Sequence, residues 1–404
     1  MKLLIVSQYF WPESFLINDI AIKLAELGHE VVVATGKPNY PDGDIFKGYK
    51  GWGLQHEESF GKIKIFRVPI WPRKKGRAVH LLMNYFSFVL SGLIFFPWML
   101  RGQHFDAILA MGLSPITAVI PGIPLKWLKR TKLTIWLQDI WPESLSATGH
   151  VQNKQIIRFV NWLVKGIYHF SDTILVQSRS FVEPVSRLSG FDKVVYFPNS
   201  VALLNPKLDS PDVPSSLLKE LEKSFSIVFA GNIGTAQAVE TIVEAVKKIK
   251  SETKIKLFLV GSGVCLDWVK KQKEESDLNN LYLAGRFPMS VMPAIFHRAS
   301  ALLVCLKDKP IFAYTIPSKV QAYLAAGRPI IASLKGEGAR VVTESGAGLV
   351  CDPENAEALA DRIMDLYLMS KAERDHMGAS GKRYCAKNFD MNKKVQELVS
   401  ILSC

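Results

Sequence analysis

Ile316 to Ser333, IPSKVQAYLAAGRPIIAS, reads as a turn, a helix and a buried strand. Pro317 stops an extended run and Ser318 supplies an N-cap. Lys319 to Ala326 are good helix formers, and Gly327 fits the left-handed position that closes a helix ahead of Pro329 and an apolar strand. A helix start presents unpaired amide hydrogens, which suits an anion. Alone, the stretch is equally an ordinary corner of an α/β protein, and its surroundings decide between the two.

Working outward, short apolar, β-branched runs alternate with helical patterns along the whole chain. Leu3 to Ser7, Glu30 to Ala34, Ile63 to Arg67, Ala107 to Ala110, Leu133 to Leu137, Thr173 to Val176 and Val194 to Phe197 form a first series. Ser226 to Ala230, Lys256 to Val260, Leu281 to Ala284, Ala301 to Cys305, Ile330 to Ala332 and Gly348 to Val350 form a second. Such alternation predicts parallel, doubly wound sheets. At 404 residues the chain is too long for one usual core. The series break at the proline-rich PNSVALLNPKLDSPDVPSSLLKE, which reads as a linker. The expectation is an α/β protein of two Rossmann-like domains facing a cleft: residues 1–200, a linker over 201–222, a second domain over 223–388, and a helix in 389–404 that returns to the first domain. Gly36 to Gly61, rich in Gly, Pro, Tyr and Asp, reads as a long loop.

Five cysteines fall singly, with no CxxC spacing, as expected of free thiols in a reducing cytosol. The opening MKLLIVSQYF reads as a first strand rather than a secretion signal. Of the net charge of +13, residues 1–200 carry +9, and Phe60 to Lys132 holds 12 basic residues against the single acid Asp106. Inside that window Leu81 to Leu100, LLMNYFSFVLSGLIFFPWML, is uncharged and aromatic-rich. Basic residues around an apolar segment fit an anionic membrane surface better than nucleic acid. The segment contains Asn84, Ser87, Ser91, Gly92 and Pro97, and a crossing would split the alternation, so a helix or hairpin lying in the interface is expected rather than a span, with a buried core helix as the other reading. Trp71, Arg73, Lys74, Lys75, Arg77, Phe95, Phe96 and Trp98 are its expected membrane- and acceptor-facing residues.

Several turns in the second half suit phosphate. FAGNIGTAQAVETI follows a strand and opens a helix, so Asn232, Gly234 and Thr235 are placed to cradle an anion. LVGSG at Leu259 to Gly263 lacks a third glycine and reads as structural. LAGRFP puts Arg286 at the carboxyl end of a strand, where ligands of such sheets bind. In order, FAGNIG, LVGSG, LAGRFP, LLVCLKD, PSKVQAYLAAGRPII and GEGARVVTESGAGLV resemble the second domain of GT-B glycosyltransferases of family 4, and GHEVVVAT at Gly28 to Thr35 suits the first. The likeness is strongest to the subgroup that adds an amino-deoxy sugar, such as N-acetyl-L-fucosamine, in bacterial O-antigen or capsule assembly. It implies a UDP-sugar donor on the second domain and a polyprenyl-diphosphate-linked glycan acceptor on the first. No cofactor, metal or nucleic acid is implied, and the enzyme would sit peripherally on the inner face of the cytoplasmic membrane.

The chain departs from the family pattern. Two glutamates usual in relatives are replaced by Tyr314 and Ala322, and the usual arginine and lysine of the glycine loop by Asn232 and Gln237. The diphosphate is therefore assigned to backbone amides near Gly234, to Arg286, and to Ser318, Lys319 and Lys307. Glu337 is assigned to the ribose.

In the first domain KLLIVSQYFWPES and KLTIWLQDIWPES, 130 residues apart, match at eight of thirteen positions. Both follow strands, which brings Glu13, Asp139 and Glu143 to one sheet edge as candidates for taking the acceptor's proton. Asp139 is the first choice; each of the three is equally placed to start a helix. Asp42 and Asp44 lie in a turn and are not expected to hold a metal. Family likeness implies retention at the anomeric carbon, whereas missing glutamates and a carboxylate-rich loop also suit inversion. A UDP-sugar 2-epimerase of the same fold and a binding protein without turnover are the other readings.

Overall fold

The computed structural model describes residues 1–74, 78–143, 153–203 and 212–403, with backbone alone at 56–58. The chain divides into two compact units, Met1–Asn199 with Met391–Cys404, and Ser200–Asp390. Helix Met391–Ser403 thus packs on the first unit, against helix Leu16–Glu26.

The first unit holds an eight-stranded sheet of β1 (Lys2–Ser7), β2 (Glu30–Gly36), β3 (Gln55–Phe60), β4 (Ile63–Val68), β5 (Ala107–Gly112), β6 (Lys132–Leu137), β7 (Thr173–Val176) and β8 (Val194–Tyr196), in the order β3-β4-β2-β1-β5-β6-β7-β8. All pairs are parallel except β3 with β4. Central strands read as continuous apolar runs because both faces are covered. Alternate residues point to opposite layers. Leu4, Val6, Ile108 and Ala110 meet helices Ala78–Met99, Gly122–Lys129 and Lys154–Phe170, while Leu3, Ile5 and Leu109 meet Leu16–Glu26 and Met391–Ser403. The expected long loop over Gly36 to Gly61 is corrected in part: Gln55–Phe60 is an antiparallel edge strand whose polar composition hides the pattern.

The second unit holds β9 (Phe225–Ala230), β10 (Ile255–Val260), β11 (Leu281–Gly285), β12 (Ala301–Cys305), β13 (Ile330–Ser333) and β14 (Gly348–Cys351), all parallel, in the order β11-β10-β9-β12-β13-β14. Both units are doubly wound. The linker reading changes at its end: Ser215–Lys223 is a helix that buries Leu221, and 204–211 lie outside the described residues.

Helix Ala78–Met99 is single and long enough to cross a membrane. One face, however, is packed on the sheet through Asn84, Phe88, Gly92 and Phe96. A Cβ on Gly92 would stand 2.7 Å from the Pro121 ring, so only glycine lets this helix and the turn before Gly122 meet.

Candidate active site

In the second unit the turns after β9, β10, β12 and β13 and the start of helix Ser318–Ala326 lie at the carboxyl edge of the sheet. Gly231 leaves β9 at φ 132°, its N–H donating to Val260 O at 2.8 Å, and Ile233 N–H donates to Ser262 O at 2.9 Å. A Cβ on Gly261 would lie 1.8 Å from Gly231 O, and one on Gly263 2.3 Å from Ile233 O. LVGSG is therefore structural: its glycines let the two turns touch.

Helix Ser318–Ala326 is fixed beneath this turn by Tyr323, fully buried, whose hydroxyl accepts from Ala230 N–H at 3.1 Å. Its start differs from expectation. Pro317 is the N-cap and Ser318 the first helical residue, with no side-chain cap bond, while Gly327 closes the helix in the left-handed region at φ 67° as expected. Lys319 runs from this first turn to the glycine loop, its Cε 2.6 Å from where a Cβ of Gly231 would stand. Nζ lies 3.9 Å from the Phe229 ring centre, buried and without a hydrogen-bond partner among the described residues. Burial pulls its pKa down to about 8, and the neighbour that acts on it electrostatically is the Cys305 thiol, itself pushed up to about 12 by burial and so neutral. A buried ammonium that faces no carboxylate among the described residues is suited to an anion.

The remaining donor candidates lie around it. Thr235 and Gln237 bound a short 3₁₀ turn ahead of Ala238 in the left-handed region, and the Asn232 amide reaches Gln237 Oε1 at 3.5 Å. Gly234 is buried in that turn. Lys307 N–H holds the turn by donating to Ala236 O at 3.0 Å, with Nζ 3.9 Å from Glu240. Arg286 is exposed beyond edge strand β11, two strands from β9. Glu337 is buried at the first turn of helix Glu337–Glu344 and accepts from Arg340 Nη2 at 2.8 Å and Nε at 3.3 Å. A ribose contact would thus fall to a carboxylate already paired. Ala322 packs partly buried against the core, and Tyr314 is partly exposed.

In the first unit, Glu13 follows β1 and Asp139 follows β6, with β5 between them, so the twin motifs do share one sheet edge. Trp11–Pro12 and Trp141–Pro142 are both cis. The two carboxylates differ. Glu13 is 1% exposed; Oε1 accepts from Asn39 and Tyr40 N–H, both at 2.8 Å, and Oε2 from Phe10 N–H at 3.2 Å. Burial lifts its pKa to about 7 against these bonds. Glu13 therefore ties the loop at residues 39 and 40 to the end of β1, and the expectation that it faces an acceptor gives way to this positioning role. Asp139 is half-buried, with its pKa raised by burial and no bonded partner among the described residues. Glu143 is exposed.

The expected membrane residues scatter. Trp98 is 46% exposed on the outer face of its helix, with the Arg101 guanidinium over its ring. Phe96 is fully buried and Phe95 packs against the core, which corrects both: an unbroken apolar run does not show which side faces inward. Lys75 and Arg77 lie outside the described residues. Trp71 Nε1 donates to His80 Nδ1 at 3.1 Å, and Lys74 Nζ lies over the Trp71 ring. Arg73 turns to the sheet edge, where its guanidinium stacks on Tyr40 and Tyr9 at 5.0 and 5.7 Å and donates to Tyr9 Oη at 3.2 Å. Behind Tyr9 sits Asn84, fully buried. Its Oδ1 accepts from Gln8 Nε2 at 2.8 Å, and its Nδ2 donates to Trp71 O at 2.6 Å and Asn39 Oδ1 at 3.2 Å. The lone polar residue amid an apolar helix face was the signal for Asn84.

No group of three or more His, Cys, Asp or Glu is arranged to hold a metal among the described residues.

Comparison with known proteins follows these two halves. A model described as glycosyl transferase 4-like domain matches residues 16–200, and one described as glycosyl transferases group 1 matches residues 217–384. The putative colanic acid biosynthesis glycosyl transferase WcaI of Escherichia coli K12 is 24% identical over 415 residues, covering 99% of each chain. The probable glycosyltransferase WbjE of Pseudomonas aeruginosa is 27% identical over 278 residues, 67% of this chain and 69% of its own. Among solved structures, Anabaena HepE in complex with UDP superposes with a TM-score of 0.68 at 14% identity over all of both chains. Sucrose-phosphate synthase of Thermosynechococcus elongatus does so at 0.73 and 16%, over 99% of this chain and 98% of its own.

Proposed function

We propose that the chain is a GT-B glycosyltransferase, family 4 in kind, and that it moves a sugar from a UDP-sugar to a polyprenyl-diphosphate-linked glycan at the inner face of the cytoplasmic membrane, without a metal; two glycosyltransferase family models, one on each half, and a full-length glycosyltransferase relative support this reading. The observation that carries the donor half is Lys319: a buried ammonium beside a glycine turn, with no carboxylate among the described residues to neutralise it. A donor diphosphate supplies the missing charge, and the complex of HepE with UDP supports uridine as its nucleoside. The sugar is N-acetyl-L-fucosamine or a related amino-deoxy sugar, and the relative named for colanic acid biosynthesis supports a biosynthetic glycosyl transfer without specifying the sugar.

In the reaction, an acceptor hydroxyl oxygen bonds to the anomeric carbon, the bond from that carbon to the diphosphate oxygen breaks, and UDP leaves with the electron pair. Asp139 takes the hydroxyl proton: it is half-buried, and burial raises its affinity for a proton. Arg73, stacked between two tyrosines, grips an acceptor phosphate. The test is UDP release with a prenyl-diphosphate-linked sugar present or absent. Release that needs the acceptor supports the reading, and donor conversion without lipid would establish the epimerase instead. An NMR reading of the product's anomeric centre fixes the stereochemistry.

A further inference from the structure

Three helices that lie side by side on one face of the first sheet all present apolar side chains outward. Helix Ala78–Met99 exposes Leu82, Phe86, Leu90 and Ile94 along one stripe, opposite its buried Phe88 and Phe96. Helix Gly122–Lys129 packs beside it and buries Leu125 while Trp127 and Leu128 stay 56% and 61% exposed. Helix Lys154–Phe170 joins the row through Trp127 against Phe170, ring centres 5.4 Å apart, and through Lys126, which donates to Phe170 O at 3.0 Å. It buries Val164 and Ile167 and leaves Phe159 and Trp162 60% and 69% exposed. One apolar stripe would be common on a monomer, but three adjacent ones mark a docking face.

None of the three helices contains Asp or Glu. Their exposed charges, Arg158 and Lys165 with Arg101 and Arg130 just beyond the helix ends, are all positive. Two copies of such a face would repel each other, whereas an anionic leaflet offers both apolar depth and opposite charge. A bilayer-spanning role is excluded for helix Ala78–Met99, since its inner face is committed to the sheet.

We infer that this whole helical layer, with Phe159, Trp162 and Trp127 as much a part of it as Phe86 and Trp98, is a monotopic seat on an anionic lipid surface. This rests on the reading of the acceptor as membrane-borne, and it enlarges the seat beyond the segment legible in the sequence to two further helices. Lipid-facing aromatics enter the headgroup boundary while the cations stay among the phosphates.

The experiment is flotation of the full chain with phosphatidylglycerol vesicles and with phosphatidylcholine vesicles, for the wild type and for the double variant Phe159→Glu, Trp162→Glu. The wild type should float with the anionic vesicles and be released by salt, and the variant should bind them about tenfold or more weakly. UDP affinity by calorimetry should be equal in the two proteins, which shows the variant folded. Brominated lipid should quench Trp127 and Trp162 in the wild type. Equal flotation of variant and wild type, no flotation of the wild type, or a concentration-dependent dimer abolished by the variant would each overturn the inference. Transfer to a short, water-soluble prenyl-diphosphate acceptor reads the proposed reaction separately: intact transfer without flotation rejects this seat alone, and flotation without transfer rejects the reaction alone.

Discussion

The ammonium of Lys319 rests 3.9 Å from the centre of the Phe229 ring, and no acid among the described residues pairs with it. Replacing it by alanine should weaken UDP binding by about tenfold or more, since a charge-assisted contact in a buried place is lost. Arginine should not rescue it, because the space beside Gly231 holds only a slim side chain. In the wild type, UDP affinity should fall as pH rises above about 8, where the free enzyme loses the proton on this amine, and Lys319→Ala should flatten that limb. Calorimetry across pH 7 to 10 on both proteins checks this, and identical profiles would remove Lys319 from the donor site.

Gly231 has two reasons to be glycine. Its φ of 132° is one that L side chains rarely adopt, and a Cβ would meet Lys319 Cε at 2.6 Å. Gly231→Ala should cost about 1–3 kcal/mol and lower UDP affinity by displacing the lysine. A thermal melt and the same titration measure both effects, and an unchanged melt would contradict the first.

Glu13 makes stability depend on pH in a stated direction. Its carboxyl has a pKa of about 7 in the folded state against an ordinary value near 4.5, so the unfolded chain releases the proton first. Stability is full below about pH 4.5 and falls as pH rises through 7, by about 3 kcal/mol in total. Glu13→Gln should remove this slope, at the expense of weakened bonds to Asn39 and Tyr40. Urea melts at pH 5 and 8 would show it; an equal slope in the variant assigns the effect elsewhere.

Asn84 uses its amide at both ends inside a buried network, so Asn84→Ala takes one hydrogen bond each from Gln8 Nε2, Asn39 Oδ1 and Trp71 O. A loss of about 1–3 kcal/mol is expected. Denaturant titration with an unchanged midpoint would show that the network reorganises freely.

Asp139→Asn should lower turnover by about 10²- to 10⁴-fold with donor binding intact, as removal of a general base does. Near-normal turnover would remove Asp139 from the chemistry.

The two sheets were legible because parallel central strands, buried on both faces, leave continuous apolar runs such as Leu3 to Val6 and Ile108 to Met111. Strand Gln55–Phe60 was not, because an edge strand with polar side chains carries no such run. Helix Ser215–Lys223 was hidden by the prolines just ahead of it. At the site, Lys319 could be read from its place after Ile316 and Pro317, since one helix start fixes it locally. Glu13 and Arg73 could not, because their roles are set by Asn39, Tyr40 and Tyr9, which are distant in sequence and meet them only through the fold of the sheet. Phe96 and Phe86 look alike in the chain; the side of the helix on which each falls makes one core and the other surface.

Helix Met391–Ser403 has a bearing on the order of assembly. Val395, Leu398 and Leu402 fill the same core as Leu24 and Ile5, although residues 200–390, the entire second unit, are synthesised between them. On the ribosome the first half of the chain therefore emerges with one sheet face covered only in part, by helix Leu16–Glu26, and waits for the second unit to be made. Domains that finish in order of synthesis can fold one after another; here the earlier one closes last. Until then the apolar strip that Val395, Leu398 and Leu402 will cover stays open, and a stalled or shortened chain would strand it.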